Sequence, residues 1–141
     1  MSPTLDNEGT KRIQGIVGEL LYYARAVDNK LLFNLSSIGA QQAAATQCTN
    51  EEINQLLDYS TTYPTDRILY HSSDMVCCAH SDAGFHKESK FRSIAGAHIF
   101  LSENDPMPKW NGPVLAMSQI IKKLMSSTSE AELGALFITA Q

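Results

Sequence analysis

Several whole classes of protein are excluded by what this chain does not contain. Cysteine is scarce and odd in number: Cys48, Cys77 and Cys78 are the only three, and two of them are adjacent. That pattern does not describe a disulfide-stapled secreted scaffold and fits a reducing compartment. The first residues, Met1 to Lys11, are polar and carry Asp6 and Glu8, so they lack the basic flank and apolar stretch of a signal peptide. No apolar run approaches the roughly 18 residues that a membrane span needs. The expectation is a protein inside the cell, cytoplasmic or nuclear, with no membrane partner. Positive charge is also lacking. Eleven Lys and Arg face fifteen Asp and Glu, giving a net charge of −4. A polyanion would feel no long-range attraction to the whole molecule, and contact with nucleic acid would rest on local basic patches. Internal repeats and low-complexity tracts are absent as well.

What is present is apolar material for one modest core: 141 residues, 43% of them hydrophobic. This length predicts one compact unit with a helical appendage rather than two independent domains. Ile13, Ile16, Val17, Leu20, Leu21 and Ala24 recur at spacings of three and four, which predicts a helix from Thr10 to about Ala26. Asp28 and Asn29 then read as a cap or turn before a second apolar segment, Leu31 to about Ala45. The string Thr49-Asn50-Glu51-Glu52 resembles a helix start ahead of Ile53, Leu56 and Leu57. Pro64 closes the helical half. The expected divisions are a flexible polar stretch over 1–11, a helical segment over 12–65 and a second region over 66–141.

That second region changes character. Arg67 to Tyr70, Met75 to Phe85, Ser93 to Leu101 and Val114 to Gln119 carry strand signals of partial alternation, punctuated by Asn104-Asp105-Pro106-Met107-Pro108 and Asn111-Gly112-Pro113. Successive strands with short connections predict an antiparallel meander. Ser127-x-x-Glu130 has capping-box spacing immediately before Ala131-Glu132-Leu133-Gly134-Ala135-Leu136-Phe137, which places a helix after the last strand. The fold class expected is α+β.

Two acids draw attention. Asp82 ends an otherwise apolar strand and precedes Ala83 and Gly84, so its carboxylate is expected at a sheet edge, either as turn chemistry or as a ligand. On the last helix, Ser129, Glu132, Leu133, Leu136, Phe137 and Ala140 share a face by spacing, which places Glu132 on the flank expected to pack toward the sheet. A carboxylate there is costly to bury unless paired or bound to a hard cation such as magnesium. The alternative is that it reaches solvent at the helix edge.

The residues in order make a more specific pattern than either acid alone. His80-Ser81-Asp82-Ala83 follows an apolar strand, Ser93-Ile94-Ala95-Gly96-Ala97-His98-Ile99-Phe100-Leu101 comes next, then Ser118-Gln119, then Ser126-Ser127-Thr128-Ser129-Glu130-Ala131-Glu132-Leu133-Gly134-Ala135-Leu136. This series resembles the RNase H region of copia-type LTR retrotransposon polyproteins. Upstream, Ile16-Val17-Gly18-Glu19-Leu20-Leu21-Tyr22-Tyr23-Ala24-Arg25 is similar to the segment joining the polymerase to RNase H in the same elements. The resemblance runs from about Arg12 onward. It implies a partial RNase H-like fold, an antiparallel three-stranded meander plus helix with an N-terminal helical region, and a nuclease that cuts the RNA of an RNA–DNA hybrid with two metal ions held by four acids. Asp82 matches the family's acid on the first strand, and Glu132 matches the acid on the helix after the third. Both are therefore expected catalytic and metal-binding residues, with magnesium as the ion and manganese as its substitute. The other two family acids fall on a later strand and helix, beyond Gln141, so unaided hydrolysis is expected to be weak or absent. A sheet edge left open would invite a protein partner or self-association. The competing expectation is a domesticated, non-catalytic interaction module.

Remaining features carry smaller expectations. Lys87, Lys90 and Arg92 follow Asp82 in an expected loop and are candidate phosphate contacts, with Lys122 and Lys123 after the third strand. Cys78, His80 and Asp82 alternate on one strand face and can be drawn as a zinc site, but without paired-ligand spacing. His71 and His98 read as ordinary strand residues, and Trp110 as a loop aromatic or a lid on the core.

Overall fold

The computed structural model describes residues 2–88 and 91–141, the side chains of 87 and 88 excepted. Its contacts divide the chain into two compact units, Met1–Arg67 and Ile68–Gln141, rather than the single unit that length suggested. The expected boundary at 65/66 falls within two residues of this division.

The first unit is helical. α1 spans Asn7–Ala26, α2 Leu32–Gln41 and α3 Gln47–Thr62, with short 3-10 turns at Asn29–Leu31 and Gln42–Ala44. α1 starts three residues before the expected Thr10 because Asp6 caps it, the carboxylate accepting the Gly9 N–H at 2.7 Å. Ile13, Val17 and Ala24 supply the buried stripe of α1, Leu32, Leu35 and Ile38 that of α2, and Ile53 and Leu56 that of α3. Asp28 caps the turn as expected, accepting from Lys30 N. α3 starts two residues before the expected Thr49. Thr46 is its cap, and Thr49 stands at the third helical position, returning a hydroxyl to the Thr46 N–H at 3.2 Å. The N-terminal stretch, expected to be flexible, is tied down: Leu5 N donates to Ala45 O and Gln47 N to Pro3 O, each at 2.9 Å.

The second unit is an antiparallel sheet with one helix. β1 is Val76–Glu88, β2 Arg92–Ser102, β3 Pro113–Ile120 and α4 Thr128–Thr139, and the strand order is β1-β2-β3. α4 lies over β1 and β2. Ala83 and Ala95 pair directly across β1 and β2, and both pack with Ile121, Ala135, Met125 and Ile138. The small side chains on both elements let helix and sheet approach closely. In β1 the register shifts between Gly84 and Glu88, and His86 there takes a left-handed φ of 50°, the sign of a bulge.

Arg67 to Tyr70, expected as a strand, is not one. It and the following His71 are held through side chains rather than by a ladder. Asn111 accepts the His71 N–H at 2.8 Å through Oδ1 and donates to His71 O at 2.9 Å and Leu101 O at 2.8 Å through Nδ2. The Tyr70 hydroxyl donates to Pro113 O at 3.0 Å. The segment before β1 is thereby strapped to the start of β3.

Candidate functional site

Two-residue alternation along β1 decides where its side chains go. Ala83 packs under α4, so Asp82, Gly84 and His80 point to the opposite, open face, where Asp82 stands across from Gly96 and His80 across from His98. Asp82 is exposed, and its Oδ1 accepts the N–H of the next residue, Ala83, at 2.9 Å. This is local turn-type bonding at a strand position.

Glu132 sits in the second turn-forming stretch of α4 and is exposed. The face expected to turn inward faces out: Leu133 is 66% exposed, Phe137 65% and Leu136 56%, whereas Ala131 and Ala135 are fully buried. The physical reason is fit. The small Ala131 and Ala135 are fully buried against the sheet side of α4, with Ile138 packed at the Ala83–Ala95 surface, so the helix turns this stripe inward and carries Glu132 to its solvent side. The sheet therefore separates the two sequence-matched acids: Asp82 lies on the open face and Glu132 on the helix that covers the other. Among the described residues, no group of three or more His, Cys, Asp or Glu side chains is arranged to hold a metal ion, and this includes the alternating Cys78, His80 and Asp82.

Glu130 is explained by the helix start, with a variation on the expected box. Ser127 Oγ accepts the Glu130 N–H at 3.1 Å, while the Glu130 carboxylate reaches one residue further back, to the Ser126 N–H at 2.6 Å and hydroxyl at 2.7 Å. The Ser126 hydroxyl, followed by its N–H, holds the Glu130 carboxyl below the usual glutamate range. Of the expected phosphate contacts, Arg92 opens β2 and is half-buried, while the Lys87 side chain and Lys90 lie outside the described residues. Lys122 and Lys123 are exposed.

Three features were not picked out by reading the sequence. The open face of the sheet carries nearly parallel rings: His80 lies 4.3 Å from Trp110 and 5.5 Å from Phe100, and Trp110 lies 5.6 Å from Phe100. Phe100 is fully buried, and Trp110 remains 64% exposed. In the helical unit, Lys30 Nζ is 2.6 Å from Asp66 Oδ2 and 4.0 Å from Asp28 Oδ1. Burial pushes the Asp28 carboxyl up, and the ammonium holds that of Asp66 down. A cavity of about 460 Å³ opens beside this cluster between α2 and α3, floored by Leu31, Ile38 and Leu56 with Glu52 and Tyr59 on its walls. The Lys30–Asp66 pair spans 36 positions, so no local pattern announces it. The ring set depends on strand register, which single-sequence alternation leaves open.

None of the described helices is long and apolar enough to cross a membrane. Compared with protein-family models, curated proteins and solved structures, the chain finds no match.

Proposed function

We propose that this chain is the RNase H-like portion of a copia-type retrotransposon polyprotein, preceded by a connection-like helical unit, and that its own two acids do not suffice to cut an RNA–DNA hybrid. The observation supporting this reading is the order of elements in the second unit. An antiparallel β1-β2-β3 meander runs directly into α4, with Asp82 on the first strand and Glu132 on the helix after the third, the positions that the resemblance assigns. Two-metal cleavage needs carboxylates converging on ions about 4 Å apart, so that one ion activates water and the other stabilises the leaving oxygen. Asp82 and Glu132 on opposite sides of a sheet do not converge, and a magnesium ion on either would keep most of its waters. Further ligands would have to come from protein outside these residues.

The test is cleavage of an end-labelled RNA–DNA hybrid in magnesium and in manganese by the wild-type chain and by Asp82→Asn. Equal, background-level product from both supports the insufficiency of the two acids, an outcome the non-catalytic module shares. Metal-dependent product that disappears in Asp82→Asn overturns that insufficiency and supports the RNase H-like assignment.

A second reading, a non-catalytic interaction module, is favoured by one specific observation: the outward row Leu133, Leu136 and Phe137 on α4. An apolar row of this kind on a helix is the usual element of helix-mediated association. β1 and β3 are moreover the outer strands of a three-stranded sheet. Sedimentation of wild type against Leu136→Lys separates the readings, because only the interaction module predicts an assembly that the lysine dissolves.

A further inference from the structure

Trp110 is presented in a way that a lid on the core does not need. One side of the ring covers Phe100 and His80, but 64% of the residue is still in solvent. The backbone on both sides of it is fixed. The Ser102 hydroxyl, on a buried residue, donates to Lys109 O at 2.8 Å, Asn111 is held by its three side-chain bonds to His71 and Leu101, and His98 Nε2 lies 3.0 Å from Asn111 O. An exposed indole held this rigidly has already lost the freedom that binding would otherwise remove.

The ring borders a recess of about 80 Å³ that it shares with Glu103 and Lys109. The recess continues through Ser72, Ser73 and Glu103 into an open depression of about 450 Å³ that adds Asp74 and Asp105. The charge of these walls decides what fits. Three carboxylates face one ammonium, Lys109, whose Nζ is 3.4 Å from Glu103 Oε2. Asp74 and Asp105 also accept the N–H groups of Asn104 and Met107, which fixes their carboxylates in the rim without neutralising them. A phosphate chain is repelled there, and a cation is attracted. Among cations, a guanidinium is planar, stacks on an indole and pairs with a carboxylate through two parallel N–H groups.

We propose that Trp110 and Glu103 together form the docking point for an arginine of a basic protein segment, with the guanidinium stacked on the free face of the indole and paired to Glu103 in place of Lys109. This inference goes beyond the nuclease reading and does not depend on it.

Trp110 is the only tryptophan in the chain, so its emission reports the site directly. The experiment titrates the full chain with a short arginine–glycine peptide, with the same peptide carrying citrulline for arginine, and with single-stranded oligothymidylate. The expected result is a saturable change in emission with the arginine peptide alone, weakened by salt. Glu103→Gln should weaken it up to about fivefold, the size of one exposed charge pair, and Lys109→Gln, which releases Glu103, should tighten it. Both residues are at the surface, and far-UV circular dichroism confirms that each variant folds. Equal binding of the citrulline peptide, a response to the oligonucleotide alone, no response to any probe, or an unchanged affinity in Glu103→Gln would each overturn the proposal.

Discussion

Gly112→Ala is the substitution that presses hardest on the strap between the segment before β1 and the start of β3. Gly112 is buried, and a Cβ built on it would stand 2.7 Å from Leu69 O, 2.7 Å from Tyr70 Cδ1 and 2.8 Å from Tyr70 Cε1. One of those neighbours is a backbone oxygen, which cannot swing aside as a side chain can. Relief requires the strap to move away from β3. That movement stretches the Tyr70 hydroxyl bond to Pro113 O and the paired Asn111–His71 bonds, all between 2.8 and 3.0 Å. Overpacking of this kind costs about 1–3 kcal/mol. For a unit of this size each kcal/mol lowers the melting temperature by about 4–8 °C. Thermal unfolding followed by the emission of Trp110, two residues away, reads the loss directly. A Gly112→Ala protein that melts within a degree of wild type would refute the packing of Leu69 and Tyr70 on β3.

Gly18→Ala should act in the opposite direction: it lies inside α1 with nothing within 4 Å of a new Cβ, so helix content and thermal stability by far-UV circular dichroism should rise by about 0.5–1 kcal/mol. Ser127→Ala removes the cap of α4 and should lower the Trp110-monitored melting point by an amount equivalent to about 1 kcal/mol. In a carboxyl-carbon NMR titration, Asp28 should protonate above the ordinary aspartate value and Asp66 below it, and Lys30→Gln should move Asp66 upward. The signs for stability oppose each other: the contribution of Asp66 is present above the ordinary aspartate value and is lost as pH falls through its lowered value, whereas the cost of ionised Asp28 is relieved as pH falls through its raised one.

The parts of this fold legible in the sequence are those governed by local rules. Helical spacing located α1 from Ile13 through Ala24, Asp28 and Ser127 acted as the caps their positions suggested, and three of the four expected strands formed. The failures have a common cause in tertiary fit. The hydrophobic row Leu133, Leu136 and Phe137 looks like a buried face by size, yet α4 turns Ala131, Ala135 and Ile138 inward instead, with Ala135 and Ile138 packed at Ala83 and Ala95. Arg67 to Tyr70 has strand-like composition, but the Tyr70 hydroxyl reaches Pro113 O and the next residue, His71, bonds to the side chain of Asn111, so no strand ladder forms there. For the candidate site the lesson is similar. Asp82 and Glu132 were visible as residues, but their separation follows from which face of β1 the helix covers, and that depends on packing between elements distant in sequence.

Separation of Asp82 from Glu132 by the sheet can be read by adding substoichiometric manganese and following paramagnetic broadening of the backbone resonances. Asp82→Asn should leave any broadening near Glu132 unchanged, because the two carboxylates share no ion. Joint broadening at both positions that vanishes at Glu132 in Asp82→Asn would contradict it.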